Sequence, residues 1–426
     1  MKKRFIGNWL IAALGVINLT LWIVFPPPND SRPLFTNQMA GEMFSTTALI
    51  LMGSNLFLAA RPRFLEPLFG GLDQMYQAHK KTAIIAAILL FAHFLTVPSA
   101  NNFNLGEDLG ILALAGILSL VLLALTVRIP FIGGYIKLRY DQWKLTHRFI
   151  GVFFITGIIH SLVVANTLIV GSPIVSLYVY TIAYAAAGVY LYKEFLEDRF
   201  RKKHAYIVEQ VKPLSGGVVE VTLKPQQEKL THRAGQFLYI RFDGDQVLRE
   251  PHPFTISSSP GAEHIRLAIR AIGDFTQHLY AHLQKGMLAR LEGGFGMFDY
   301  HEGAKQQIWV AGGIGITPFL SWMRDFKQDL PYEVDFYYSV RAPDEAIYLD
   351  EIEQVANSHS SFRNHIAYSN RDGRLTADKI VASSGAPRGK DVYLCGPIAM
   401  IEALQKQFIQ LGVPRQRIHF EEFNFR

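Results

Sequence analysis

Hydrophobic and polar positions along this chain follow two regimes. Up to about residue 195 there are long apolar runs broken by short polar segments, at roughly 8–25, 41–60, 80–97, 109–128, 147–170 and 174–192. Each is close to the ~20 residues that an α-helix needs to cross a bilayer. The first follows "MKKR", so a cleaved leader competes with a retained helix. Its apolar region is long, and the "PPPNDSRP" behind it has no small-x-small cleavage site, so a retained helix is expected. From about 204 the pattern becomes alternation. "GVVEVTLKP", "GQFLYIRF" and "HIRLAIRAI" are apolar at every second position, as half-buried antiparallel strands are. From about 306, "QIWVAGGIGITPFLSWMRDF" and "EVDFYYSVR" read as buried strand, glycine turn, helix and strand, a βαβ unit of an open parallel sheet. "HEGAKQ" separates the two patterns near 303.

Charge gives the apolar runs a direction. Lys2, Lys3 and Arg4 precede the first run, Arg61 and Arg63 follow the second, and Lys80 and Lys81 open the third. Arg128, Lys137, Arg139, Lys144 and Arg148 lie between the fourth and fifth, and Lys193, Arg199, Arg201, Lys202 and Lys203 follow the sixth. The alternate loops, 26–40, 98–108 and 171–173, carry only Arg32. By the positive-inside rule both termini, and everything after residue 200, are expected on the cytoplasmic side of a multi-pass, bacterial-type plasma membrane protein. The basic residues cluster beside apolar runs, which points to a lipid partner and not to nucleic acid. Composition adds little else. Of 426 residues 50% are hydrophobic, the net charge is +6, and the single cysteine, Cys395, excludes an internal disulfide and a Cys-ligated zinc or iron–sulfur site.

Four histidines change the picture. His79 and His93 bracket the third run, and His147 and His160 the fifth. A lone histidine on such a helix is most simply a core residue bonded to a carbonyl, but an ionisable residue at membrane depth is a functional candidate. Fourteen residues place His79 and His93 ~21 Å apart along the axis and within ~40° of one face. With the charge-derived orientation, each helix offers one histidine near the inner side and one near the outer. Two stacked bis-histidine sites follow, and paired neutral imidazoles suit a planar haem iron. Zinc would want further close ligands, and a proton relay would need closer spacing. His147 and His160 are thirteen apart, a rotation of about 140° on an ideal helix. They can share a partner only if that helix is deformed or tilted, or if the two sites are approached from different sides.

The quartet resembles that of the ferric reductase and NADPH oxidase superfamily. The resemblance implies an inner haem b on His79 and His147 and an outer one on His93 and His160, with Lys80, Lys81 and Arg148 near propionates. It extends over about 40–426. "REPHPFTISSSP" and "RAIGDFTQHL" are similar to the flavin motifs of the ferredoxin-NADP reductase group in its oxidase branch. That implies FAD lined by His252, Pro253, Phe254 and Thr255, with Gly273, Asp274, Phe275 and Thr276 opening a helix towards its pyrophosphate and Arg270 adding charge. Phe275 stands where relatives often have Trp. "WVAGGIGITPF" and "VYLCGP" resemble the nicotinamide nucleotide motifs. They imply Gly312, Gly313, Gly315, Thr317 and Pro318 near a pyrophosphate, and Cys395, Gly396 and Pro397 near the nicotinamide. Ser339 and Arg341 follow the second strand of the unit, where a 2′-phosphate would lie. An acid at those positions would favour NADH. Neither is acidic, so NADPH is expected, with NADH as the alternative. Relatives often end in an aromatic ring that stacks on the flavin, which Phe425 matches, or else Phe423.

The expected architecture is a six-helix transmembrane haem bundle over 1–200, an antiparallel FAD barrel over 204–302 and a Rossmann-like NAD(P)H domain over 303–426. The expected path runs from NADPH through FAD and two b haems to an acceptor outside. Dioxygen giving superoxide and a ferric chelate both fit. The outer loops offer only Asp30, Glu107 and Asp108 as hard ligands, a lean towards oxygen. Delivery to a partner protein is a third outlet, although no obligatory protein partner is evident. Two other classes compete: a flavin reductase on a helical anchor or ion-conducting module without haem, and a nucleotide-sensing module without turnover.

Overall fold

A computed structural model describes residues 6–98, 104–126, 140–165, 167–200, 203–327 and 330–421. The chain divides into two compact units, Met1–Arg201 and Lys202–Arg426.

In the first unit the long helices are α1 (Ile6–Val24), α2 (Phe35–Ala59), α3 (Leu72–Thr96), α4 (Leu105–Thr126), the pair α5 (Tyr140–Arg148) and α6 (Ile150–Val163), and α7 (Pro173–Leu191). Counting α5 and α6 as one span, six are long and apolar enough to cross a membrane. Their packing is inside out. Asn18, Glu42, Thr46, Thr47, Ser54 and Asn55 are buried, while Trp9, Ile23, Ile88, Phe91, Leu95 and Leu177 are exposed. Between α1 and α2, Asn18 Nδ2 donates to the hydroxyls of Thr46 and Thr47 at 3.0 Å each, and Trp22 Nε1 donates to Thr46 Oγ1 at 3.1 Å. These polar bonds join α1 to α2 beside an apolar cluster that includes Trp22, Ile50 and Val179.

Two element limits differ from the apolar runs. α3 begins at Leu72, because its polar first turns are helical without being hydrophobic, and His79 therefore lies two turns inside it. The fifth span ends at Val163, not near 170. Beyond it Leu168 and Ile169 donate their N–H groups to the Glu42 carboxylate at 2.7 and 2.8 Å, and Thr167 Oγ1 donates to it at 2.9 Å. That buried acid gathers an apolar segment into a short turn, Ile169–Gly171, which hydropathy alone reads as more helix.

The second unit holds two sheets. β1 (His204–Leu214), β2 (Val218–Pro225), β3 (Phe237–Phe242), β4 (His252–Thr255), β5 (Ile265–Arg270) and β6 (Leu288–Phe295) form an antiparallel sheet in the order β4-β3-β6-β1-β2-β5. A bridge between Ile256 and Leu267 draws its two edges together. Alternate residues, among them Val219, Val221, Leu223, Ile265, Leu267 and Ile269, fill its interior. β7 (Gln306–Gly312), β8 (Glu333–Val340), β9 (Phe362–Tyr368), β10 (Asp391–Cys395) and β11 (Ile418–Glu421) form a parallel sheet in the order β11-β10-β7-β8-β9. Trp309 and Ala311 of β7 pack on one face with α9 (Thr317–Met323) and α10 (Leu349–Ser358). Ile308 and Val310 pack on the other with α11 (Ala377–Ser384) and α12 (Ile398–Gln410). A helix α8 (Asp274–His282) follows β5.

Arg324, just past α9, ties the two sheets to each other. It pairs with Glu351 at 2.6 and 2.8 Å, donates to the Ser257 carbonyl at 2.8 Å, and lies 3.8 Å from Glu220 of β2. Tyr348 sits under its guanidinium and donates to Glu220 at 2.7 Å. At 11% side-chain exposure the cation is largely desolvated. Arg324→Ala would remove both bonds to Glu351 and leave the Ser257 carbonyl without its donor, and should destabilise this unit by about 3 kcal/mol. Thermal release of flavin fluorescence should show the loss as a lower midpoint.

Candidate functional site

The fold brings the four histidines together in two pairs. The rings of His79 (α3) and His147 (α5) have centroids 6.2 Å apart at 61°, and those of His93 (α3) and His160 (α6) 6.5 Å apart at 69°. Neighbouring carbonyls set the tautomers. His93 Nδ1 bonds to the Gly41 oxygen at 2.9 Å, His160 Nδ1 to Gly106 O at 2.7 Å, and His79 Nδ1 to Asn55 O at 3.3 Å. A carbonyl only accepts, so each Nδ1 carries a proton. Trp143 stacks on the His147 ring at 5.2 Å. Against α4, a Cβ on Gly110 would fall 2.6 Å from the His160 ring, so only glycine lets the imidazole lie on that backbone.

One deformation bears on the thirteen-residue spacing. The helix is interrupted at Phe149, whose N–H reaches Thr146 O at 3.1 Å. An i→i−3 bond winds the chain by about 120° per residue where an α-helix has about 100°. The tightened turn supplies part of the missing rotation between His147 and His160. Of the expected propionate partners, Lys80 and Lys81 are exposed on α3, while Arg148 is engaged by Glu194 in an ion pair. Among the described residues, no group of three or more His, Cys, Asp or Glu gathers as a metal site, and the four histidines stand as two pairs.

In the second unit the two flavin-like motifs meet. His252 stacks on Phe275 at 3.6 Å, and Phe254 lies 6.4 Å from the same ring. Pro253 pairs with Tyr239 and Thr255 with Phe237 across β3, and Thr255 is buried. Thr276 Oγ1 accepts from the N–H groups of Ile272 and Gly273 at 3.0 Å each, fixing the start of α8 at Asp274. Arg270, at the end of β5, points to Gly313 and Glu345.

The two nucleotide-like motifs also meet, at the C-terminal edge of the parallel sheet. A Cβ on Gly315 would come within 2.4 Å of Cys395 O, which makes glycine obligatory there. Gly396 has φ +154° and lies against Gly312, with Pro397 beside it. Thr317 and Pro318 begin α9 directly after the turn. Ser339 pairs with Gly312 on the neighbouring strand. Open parallel sheets bind ligands at this edge.

Sequence reasoning missed three carboxylates: Glu42, Glu345 and Glu421. Glu421 ends β11 beside Cys395. Burial first, and the Glu421 carboxylate second, push the Cys395 thiol well above its ordinary range. Glu345 pairs with Arg341 at 2.5 Å, and that guanidinium holds its carboxyl below the usual range. Arg341 is therefore already paired with an acid where a lone phosphate reader was expected. Phe425 and Phe423 lie outside the described residues.

Comparison with known proteins agrees with this geometry. Residues 202–310 match the FAD-binding domain family and 309–406 the oxidoreductase NAD-binding domain family. Residues 202–406 thus carry a flavin-binding and a nicotinamide-nucleotide-binding domain of oxidoreductase type. The combination of these two domains fits the ferric reductase and NADPH oxidase superfamily. Flavohemoprotein A of Dictyostelium discoideum is 26% identical over 56% of this chain and 65% of its own length. The carnitine monooxygenase reductase subunit of Escherichia coli is 28% identical over 51% of this chain and 67% of its own. The match thus spans just under two thirds of the first of these relatives. In fold, the chain is similar to a flavohemoglobin from Malassezia yamatoensis, solved with bound FAD and heme, with TM-score 0.50, 18% identity and coverage of 91% of this chain and 97% of that one.

With its thiol raised by burial, Cys395 of this oxidoreductase should resist alkylation by iodoacetamide at pH 8 in the folded protein. It should react fully after unfolding. Rapid labelling of the native chain, read by mass spectrometry, would contradict the buried placement.

Proposed function

We propose that the oxidoreductase spans a membrane and passes electrons from cytoplasmic NAD(P)H to an acceptor on the far side. The observation that carries this reading is the pairing of the histidines. Two imidazoles bound at about 2 Å on opposite sides of one metal have centroids roughly 6 Å apart, close to the 6.2 and 6.5 Å found. The set fits two haems, one on His79 and His147 and the other on His93 and His160. When bound, FAD would take electrons from nicotinamide as a pair and release them singly, and haem iron would accept them one at a time. The chain's own residues make the rest of the device. Carbonyls of Asn55, Gly41 and Gly106 fix the ring protons on Nδ1 and raise the basicity of the ligating nitrogens. The exposed apolar faces of the helices suit lipid, and the inward polar residues lock the bundle. His252, Phe254, Thr255 and Phe275 would line the flavin, and the Gly312–Gly315 turn would admit a pyrophosphate. Phe425 is proposed as the ring that yields to nicotinamide.

Dioxygen is the acceptor favoured here, with superoxide as product. Of the acids on the outer side, Asp30 is engaged by Arg32, and Glu42 by the backbone of Leu168 and Ile169. Neither is available as a hard ligand for iron, and Glu107 and Asp108 in the first turn of α4 make a set too small for one. A ferric chelate, which needs little binding site, is the alternative by the same path.

Purified protein should show b-type bands in a reduced-minus-oxidised spectrum and two haems per chain. His79→Leu or His147→Leu should remove one of the two, and His93→Leu or His160→Leu the other. A wild-type ratio near one, or no bands, sinks the two-haem wire and leaves a membrane-anchored flavin reductase. For the acceptor, superoxide dismutase should suppress cytochrome c reduction by the enzyme under saturating nucleotide. Ferric-chelate reduction that is faster than oxygen consumption and survives anaerobiosis would transfer the assignment to iron.

A further inference from the structure

β8 ends at Val340, and the chain then turns back through Pro343–Glu345. The turn returns the Glu345 carboxylate to Arg341, with Nε–Oε1 2.8 Å and Nη2–Oε1 2.5 Å. The same oxygen lies 3.3 Å from Nη2 of Arg270, which arrives from the other sheet. The Nη1 atom of Arg270 is in turn 3.4 Å from where a Cβ on Gly313 would stand. One carboxylate therefore sits between two arginines, beside the glycine turn. Glu345 is held inward at 14% side-chain exposure, while Arg341 reaches outward at 68%.

We propose that Glu345 selects the nicotinamide nucleotide. It favours NADH by offering its carboxylate to the adenosine ribose and by holding Arg341 against use by a 2′-phosphate. The inference rests on the flavin-reductase reading of this unit. It turns the expectation drawn from Ser339 and Arg341 away from NADPH.

The end of the second strand of such a unit is where an acid takes a ribose 2′-hydroxyl, or an arginine takes a 2′-phosphate. Here both residue types are present and bonded to each other. A carboxylate only accepts, so it suits a hydroxyl donor. A 2′-phosphate brings about −1.5 to −2 charges and would face that carboxylate directly. Two arginines and one glutamate leave a net charge of one to attract it, and without the glutamate's charge there would be two. A site that bonds one polar group rejects its replacement because its own groups are then left mispaired.

The rival role for Glu345 is a brace, since its bond to Arg270 joins the two sheets. A brace would affect both nucleotides alike. The test uses full-length protein with FAD bound and follows anaerobic bleaching of the flavin by NADH and NADPH. Wild type should favour NADH in rate over apparent Kd. Glu345→Gln keeps the side-chain shape and should improve NADPH by roughly tenfold relative to NADH. Arg341→Ala should take back most of that gain in the Glu345→Gln background. Calorimetric titration with 2′,5′-ADP and 5′-AMP should give the same order without hydride transfer. A wild type that prefers NADPH, or a Glu345→Gln variant that shifts both nucleotides equally, overturns the proposal while the flavin reductase stands. If neither nucleotide bleaches bound FAD, the flavin-reductase reading falls, and the proposal with it.

Discussion

An imidazole among apolar helices must give its N–H to an acceptor, and in this chain the backbone of neighbouring helices takes it. The rest of the first unit follows from that bond. A carbonyl within reach requires helices that approach closely, and close approach requires glycine, as at Gly110 beside His160. The bonded nitrogen fixes the ring, whose neighbour is a histidine ring on another helix. Polar residues that would be surface groups in water, such as Asn18 and Thr46, turn inward for the same reason. A histidine held this way has its ring fixed in place by the neighbouring backbone.

The second unit solves a different problem with similar means. Its chemistry lies where strand ends and glycine turns come within van der Waals distance, at Gly315 against Cys395 and Gly396 against Gly312. Absence of a side chain creates the space in which a dinucleotide backbone can lie. Charge is then placed at the rim of that space and not in it. Arg270, Arg341 and Glu345 form a chain of contacts spanning both sheets, and Arg324 with Glu351 and Glu220 forms another behind it.

Much of this was legible in the sequence because the relevant periods are short. Alternation in "HIRLAIRAI" reports which residues of β5 face inward, since successive side chains must point to opposite sides. The six helices announce themselves by length. The motif residues at 252–255, 273–276, 312–318 and 395–397 converge as their order implied. What escaped reading depends on contacts between segments far apart in the chain. Glu42 meets residues 167–169 across more than a hundred positions. Glu345 is near Arg341 in sequence, but a turn and not a helix returns it, so no periodicity marks the pair. Residue type gave no hint that Glu421 would stand beside Cys395, because strand order in a parallel sheet is not written in either strand.

The interruption at Phe149 carries one further lesson. Along a helix, distance and direction are tied together, and residues thirteen and fourteen apart face different ways. A single i→i−3 bond breaks that tie locally and works as a phase shifter between His147 and His160. The spacing on this helix and the fourteen-residue spacing on α3 are then two solutions to one alignment condition, each valid only with its own winding. An insertion or deletion in either segment should therefore turn one ring of a pair away from the other unless the winding changes along with it.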